Sequence, residues 1–389
     1  MFYTQEQRNI ISQLFPGQGN YHKQLEHMGN FFKLEIEPTA KMIDQKELFP
    51  KGNLEKLSVH RIAALPFSPE HGGGGLPLPV YITTLEMLAK ACANTAIPLS
   101  IQGMSCEGIR LFGSTDQKKK FLMDRGLIEG KNLIAFALTE PCCGSDANAI
   151  QTKAWWSGTH YVLNGDKMLI SNPGEADVIL VFARTDKGIS SFLVPQETPG
   201  FKVTEIFPKL GIRGNRLSAI HFEQCGIPRE NRLGEEGKGM EYAKHILNYG
   251  RLSIAAIGIG IAQAAFEKTQ SYCRKRKAFG RGIGDFELVQ EKIANMTTEI
   301  QAARLLTYHT AALRDNGEDI VREAAQAKLF SSEMAQRVCD AAIQVHGGYG
   351  YIDEYDVHRH WRDARMLSIV EGTSEVLRLL VAHQVLKSG

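Results

Sequence analysis

The chain of 389 residues is expected to fold as a mainly helical α+β protein in three successive units, because its hydrophobic period changes twice along its length. Residues up to about 128 carry apolar positions at helical spacing, among them Ile82, Leu85, Leu88 and Ala89, with few extended β-rich runs. From roughly Asn132 to Glu223 the pattern becomes short β-rich runs, such as Asp177 to Phe182 and Ser190 to Val194, punctuated by Gly, Pro and Asn. That grammar predicts an antiparallel sheet or barrel. After Gly237 the helical period returns over about Tyr242 to Tyr272, Phe286 to Arg314 and Ile320 to Val345. The expected units are a helical domain at 1–128, a β domain at 129–236 and a helical-bundle domain at 237–389. No repeat or low-complexity linker is seen, and no strand-to-helix Gly-x-Gly-x-x-Gly unit signals a doubly wound nicotinamide-binding domain.

Size agrees with several packed units, since a chain this long exceeds an ordinary single core. A formal net charge of +2 gives no electrostatic reason to expect nucleic acid or an anionic membrane surface as partner. The start, Met1-Phe2-Tyr3-Thr4-Gln5-Glu6-Gln7, has neither the apolar stretch of a signal peptide nor the Arg/Ser-rich character of a transit peptide. No uninterrupted apolar run of membrane-spanning length is apparent, so a cytoplasmic location is expected. The seven cysteines are odd in number and scattered, and the adjacent pair Cys142-Cys143 does not match usual metal spacings; free thiols and no metal are expected.

Five segments carry candidate chemistry. Ile369-Val370-Glu371-Gly372-Thr373-Ser374-Glu375-Val376-Leu377-Arg378 sets a carboxylate on a glycine hinge before an apolar helix that Thr373 or Ser374 can cap; it offers a general base, or else a solvated loop carboxylate. Ile134 to Asp146 is a strand-like run ending in hydroxyls and a Gly144-Ser145-Asp146 turn, which presents either donors for a flat heterocycle or phosphate, or an ordinary self-capped turn. Asn164-Gly165 is a hairpin signal, followed by a strand reaching Ser171. The basic cluster from Arg274 to Arg281 and the run Gln344-Val345-His346-Gly347-Gly348-Tyr349-Gly350-Tyr351 both suit phosphates; both also suit the bland roles of helix-end charge and helix cap.

Taken together, and with Pro69-Glu70-His71-Gly72-Gly73-Gly74-Gly75-Leu76, Thr139-Glu140-Pro141, Gly211-Ile212-Arg213 and Leu233-Gly234-Glu235-Glu236-Gly237-Lys238-Gly239, these segments make the chain resemble the acyl-CoA dehydrogenase family over essentially its whole length. The motif pattern is nearest the short-chain, butyryl-type bacterial members. The resemblance implies a helical domain, a β-barrel domain and a four-helix bundle, assembled as a homotetramer that is a dimer of dimers. It implies FAD as cofactor, an acyl-CoA substrate of fatty acid metabolism, and an electron-transfer flavoprotein as acceptor. In such enzymes an α-proton and a β-hydride leave a saturated acyl thioester, giving the trans-2-enoyl thioester.

Carried across residue by residue, the resemblance makes Glu371 the base. It places Phe136, Leu138, Thr139, Ser145, Leu169 and Ser171 at the flavin from the β domain, with Ser145 also near the pantetheine arm. Arg276, Phe279, Gln344, Val345, Gly347 and Gly348 would reach the FAD of a neighbouring subunit, and Thr373 and Glu375 the dinucleotide. Asn248, Arg251 and Gly372 fall on the substrate side, where Arg251 either holds the base's surroundings or the CoA arm, or simply packs. Some features depart from the family pattern. Leu169 stands where many members carry an aromatic ring, and Glu287 stands where Gln is usual, facing either the adenosine half of FAD or solvent. Cys142-Cys143 replace a small, glycine-rich pair. Gly250 fills the alternative base position used by some members and cannot act. Alternatives left open are a relative acting on a carrier-protein-bound acyl group, and a flavin monooxygenase or oxidase, against which Glu371 argues. A non-enzymatic, nucleic-acid-associated flavoprotein would require a basic strip that the balanced charge does not suggest.

Overall fold

A computed structural model describes residues 2–387. Its N-terminal unit packs α1 (Gln5–Leu14), α2 (Gly19–Phe31), α3 (Ala40–Lys46) and α4 (Lys51–Val59) around α5 (Leu78–Phe112). α5 is apolar on every side and buried nearly throughout, as a helix crossing the middle of a core must be. Its two stretches meet at a kink where Cys92 is extended. A single turn, α6 (Thr115–Gln117), follows, capped reciprocally by Ser114 and Gln117. The Gln117 amide also donates to the carbonyls of Glu230 and Arg232 at 2.7 Å, tying the helical unit to the far end of the sheet unit.

The middle unit holds β1 (Ile134–Ala137), β2 (Lys153–Trp156), β3 (His160–Ser171), β4 (Val178–Thr185), β5 (Gly188–Pro195), β6 (Phe201–Ile206), β7 (Leu217–Pro228) and β8 (Arg232–Leu233). They form one sheet in the order β6-β7-β3-β2-β4-β5-β8, with β1 beside β4. Two expectations are corrected here. The sheet does not close into a barrel among the described residues, because the end strands β6 and β8 do not pair with each other. Nor is it wholly antiparallel: β1 and β2 both run parallel to β4, which the long connections after each of them permit.

Asn164-Gly165 is a third correction, since it makes no hairpin turn. It lies inside β3 at a register shift against β7, and Gly165, with φ +141°, comes so close to the residue leading into β2 that a Cβ would stand 2.7 Å from the Thr152 Cα. The same dipeptide that suits a tight turn also suits a bulge, and here the close approach of a third strand selects the bulge.

The C-terminal unit is built on α7 (Gly239–Lys275), α8 (Glu287–Asp315) and α9 (Val321–His346). The hairpin β9 (Lys277–Ala278) and β10 (Arg281–Gly282) joins α7 to α8. The shorter helices α10 (Val357–Arg365) and α11 (Ser374–Lys387) pack on α9. α7 is long and apolar enough to cross a membrane by length and composition, contrary to the sequence expectation; 89% of that window is buried against the rest of the protein, so its apolarity is that of a core helix. α5 lies along α7, and the helical packing therefore continues across the boundary between the first and last units. A buried ion pair crosses the same boundary: Arg304 on α8 donates to Glu86 on α5 at 2.8 Å, with both side chains almost fully enclosed. Removing one partner of such a pair costs about 3–5 kcal/mol, because it strands the other charge.

Gly211-Ile212-Arg213 locks the three units together. A Cβ at Gly211 would stand 2.1 Å from the Arg362 carbonyl oxygen. The Ile212 amide donates to Asp363 on α10 at 2.6 Å, and the Gly214 amide donates to Asn94 on α5 at 2.7 Å. These contacts hold α10, and with it the loop leading to Glu371, against the other two units.

Candidate active site

The loop between α10 and α11 carries Glu371. Met366–Ser368 form a short 3-10 turn, after which Glu371 and Gly372 both take left-handed backbone angles, φ +54° and +99°. For Gly372 that conformation is free of strain; for Glu371 it costs energy, so surrounding contacts must hold it. Thr373 then accepts from the Val376 amide at 3.3 Å and caps α11, one of the two capping options in the sequence.

Two carbonyls of this loop are gripped by buried cations. Arg251 on α7 donates through Nε to the Glu371 carbonyl at 3.3 Å and through a terminal nitrogen to Asn248 Oδ1 at 2.7 Å. Arg251 thus ties the Glu371 loop to α7. Lys328 on α9 donates to the Gly372 carbonyl at 2.8 Å.

The carboxylate itself points inward. Glu371 Oε2 has no contact with solvent and no hydrogen-bond partner. The α7 backbone runs directly beneath it at Gly250, where a Cβ would stand 2.4 Å from Oε2 and 2.7 Å from Cδ. Any side chain at 250 would therefore displace the carboxylate. Burial pushes the Glu371 carboxyl up to about 7, against an opposing pull from Lys328 and Arg251. The Glu371 amide N–H also lacks an acceptor among the described residues. A carboxyl raised by burial thus sits beside an unused backbone donor.

This geometry fixes a pH dependence. Because the folded-state pKa lies above the ordinary value near 4.5, the folded protein holds an extra proton between about 4.5 and 7. Its contribution to stability is full below about 4.5 and is lost as pH rises through about 7. Denaturant titrations of wild type and Glu371→Gln are expected to converge at low pH and to diverge by up to about 3 kcal/mol towards pH 7, with the glutamine variant the more stable. A pH-independent difference would show that Glu371 ionises normally.

The other sequence candidates fall into separate groups. On the sheet unit, the Met168 amide donates to the Thr139 carbonyl at 2.9 Å, which sets Thr139 beside the bulged segment that bears Leu169 and Ser171. Leu169, with φ +56°, is 51% exposed, an unusual position for a leucine. Phe136 and Leu138 are more enclosed, and Phe136 contacts Phe182. The turn before the exposed Ser145 is intact despite Cys142-Cys143: Glu140 and Cys143 exchange backbone hydrogen bonds at 3.0 and 3.1 Å. The Glu140 carboxylate is fixed by fully buried Lys167 at 2.7 Å. The hydroxyls of Thr139, Ser145 and Ser171 make no hydrogen bond among the described residues.

Arg276, Val345, Gly347 and Gly348 line a second, open groove of about 440 Å³ with Tyr272, Ile283, His346, Tyr349 and Ile352. Gly347, with φ +61°, caps α9, and a Cβ on Gly347 or Gly348 would meet nothing. Arg276 faces the Tyr349 ring and has no carboxylate partner among the described residues. Phe279 is 96% exposed. Glu287 is exposed and lies 3.9 Å from Arg281. Gln344 and Glu375 are exposed as well. None of the base-loop residues lines this groove.

Sequence reasoning missed Lys328. The signal was present: in the first half of the buried stripe of α9, among Ala324, Ala325, Ala327, Ser331 and Ser332, stands a lysine.

Comparison with known proteins agrees across the chain. Residues 21–129, 135–225 and 237–386 match the family profiles described as acyl-CoA dehydrogenase N-terminal, middle and C-terminal domains. The short-chain specific acyl-CoA dehydrogenase of Clostridium acetobutylicum is 39% identical over 92% of this chain and 95% of its own. The butyryl-CoA dehydrogenase structure from Megasphaera elsdenii superposes with a TM-score of 0.91 at 38% identity, over 94% of this chain and 98% of that one. A chain from a structure described as the electron transferring flavoprotein of Acidaminococcus fermentans superposes with a TM-score of 0.93 at 36% identity, over 96% of this chain and 99% of that one.

Proposed function

The chain belongs to the acyl-CoA dehydrogenase family, and from that premise we propose that it desaturates a short acyl-CoA thioester between Cα and Cβ, using FAD and an electron-transfer flavoprotein. The observation that carries this reading is Glu371 Oε2, buried and unpartnered, with the carboxylate against the bare backbone of Gly250.

The residues fit the cofactor. Unengaged hydroxyls on Thr139 and Ser171 suit the polar edge of a flat heterocycle, and the outward Leu169 suits its apolar face. Bound FAD supplies the hydride acceptor. Glu371 removes the α-proton, its strength as a base raised by burial. The free Glu371 amide donates to the thioester oxygen as negative charge gathers there, acidifying the α-carbon in the same step. Lys328 and Arg251 hold the peptide that carries both groups. A short acyl chain is favoured by the likeness to short-chain and butyryl-CoA dehydrogenases.

Straight, branched and dicarboxylic acyl-CoAs, tested with an artificial electron acceptor, separate the substrate classes. A short straight-chain substrate is expected to bleach the flavin fastest and to yield a product lighter by two hydrogens. Label from O2 appearing in the organic product would instead support the monooxygenase reading.

The same reading extends to assembly. The unpaired Arg276 and the bare Gly347-Gly348 backbone suit a pyrophosphate, and in a homotetramer that would be the cofactor of a neighbouring subunit. Arg276→Ala is expected to weaken FAD binding by about 1.5–3 kcal/mol and to loosen the oligomer, read by flavin release and light scattering. A monomer retaining stoichiometric FAD would exclude a shared site.

A further inference from the structure

Lys328 is 0% exposed, in the middle of an alanine- and serine-rich helix face. Lysines are rarely enclosed unless paired with a carboxylate, because burial removes hydration and rotamer freedom together. Here Nζ has its hydrogen bond to the Gly372 carbonyl at 2.8 Å, and among the described residues no carboxylate lies within ion-pair distance of it. A methionine or leucine would fill this stripe at less cost. The ammonium is kept beside the loop that must present Glu371 in a left-handed conformation.

The charges around it are few. Glu371 faces it from the base loop, Arg251 from α7, Glu333 from its own helix and Glu375 from α11. Glu333 is already paired with Arg378 at 2.7 Å, and Glu375 is exposed. That leaves Glu371, with its buried Oε2, as the anion whose ionisation Lys328 can favour.

We propose that Lys328 is a positioning residue for the base: it holds the Gly372 carbonyl from α9 and stabilises the carboxylate form of Glu371 across the same buried space. The proposal rests on Glu371 being the base. Arg251 fixes the carbonyl before Gly372 and Lys328 the carbonyl after it, so two helices hold successive peptides. Burial drives the Lys328 ammonium down to about 8, so its charge persists over the range in which Glu371 ionises.

The test is the pH profile of anaerobic flavin reduction by a short acyl-CoA in Lys328→Met and Lys328→Gln holoenzymes, with FAD content and melting temperature measured alongside. Loss of a nearby cation makes a carboxyl harder to ionise, so in both variants the midpoint should move to higher pH by about one unit or more. Lys328→Gln keeps a donor for the Gly372 carbonyl and should recover plateau rate relative to Lys328→Met, for which about a tenfold loss with little change in KM is expected. A lowered melting temperature with an unmoved midpoint would overturn the proposal, leaving Lys328 a packing residue. If Lys328→Met does not fold, the midpoint of Lys328→Gln decides alone. If neither folds, Lys328→Arg decides: it retains the charge and should keep the wild-type midpoint, and a shifted midpoint there would equally overturn the proposal. Glu371→Gln measured in parallel separates the two ideas, because full activity in that variant would sink the functional reading rather than the role of Lys328.

Discussion

Glu371→Gln is expected to retain fold and FAD while slowing substrate-driven flavin reduction by about three orders of magnitude. The amide keeps the shape of the side chain and can sit against Gly250, but it cannot take the α-proton. The second position from which some relatives supply a base is Gly250 here, which has no side chain to substitute. Stopped-flow absorbance under anaerobic conditions checks it. Reduction at near wild-type rate would mean that another residue is the base.

Gly250→Ala should be almost as damaging, by a purely steric route. A Cβ there would lie 2.4 Å from Glu371 Oε2 and 2.7 Å from Cδ, well inside contact distance, so the carboxylate must move. A displacement of about 1 Å at a reacting group costs on the order of a hundredfold in rate. The variant is expected to fold, since the obstacle is a side chain on a loop, and to bind FAD normally. Unchanged rates would show that the carboxylate acts from a different rotamer.

Much of this site was legible in the sequence because the chemistry needs particular residues in one short run. Glu371-Gly372-Thr373 announces a carboxylate, a left-handed hinge and a helix cap, and all three appear as such. The helical span at Tyr242 to Tyr272 falls inside α7, and those at Phe286 to Arg314 and Ile320 to Val345 begin one residue before α8 and α9 and otherwise lie within them, because long amphipathic or apolar periods leave little ambiguity. Pairings between distant strands are another matter. Local sequence cannot tell whether Gly165 turns a chain or yields to β2 passing over it, nor whether eight short strands close into a ring. Lys328 was hidden for a related reason: its meaning comes from Gly372, forty-four residues later on another element, and its own helix marks it only as a lysine out of place.

The most direct test of the central claim, that Glu371 takes the α-proton of an acyl-CoA as the β-hydride leaves for FAD, is anaerobic stopped-flow reduction of the holoenzyme with butyryl-CoA deuterated separately at Cα and Cβ. Primary isotope effects at both positions are expected, with enoyl-CoA formed in step with flavin bleaching, and Glu371→Gln should abolish the signal with either isotopologue. Flavin reduction that is insensitive to α-deuteration, or that persists in Glu371→Gln, would contradict the account.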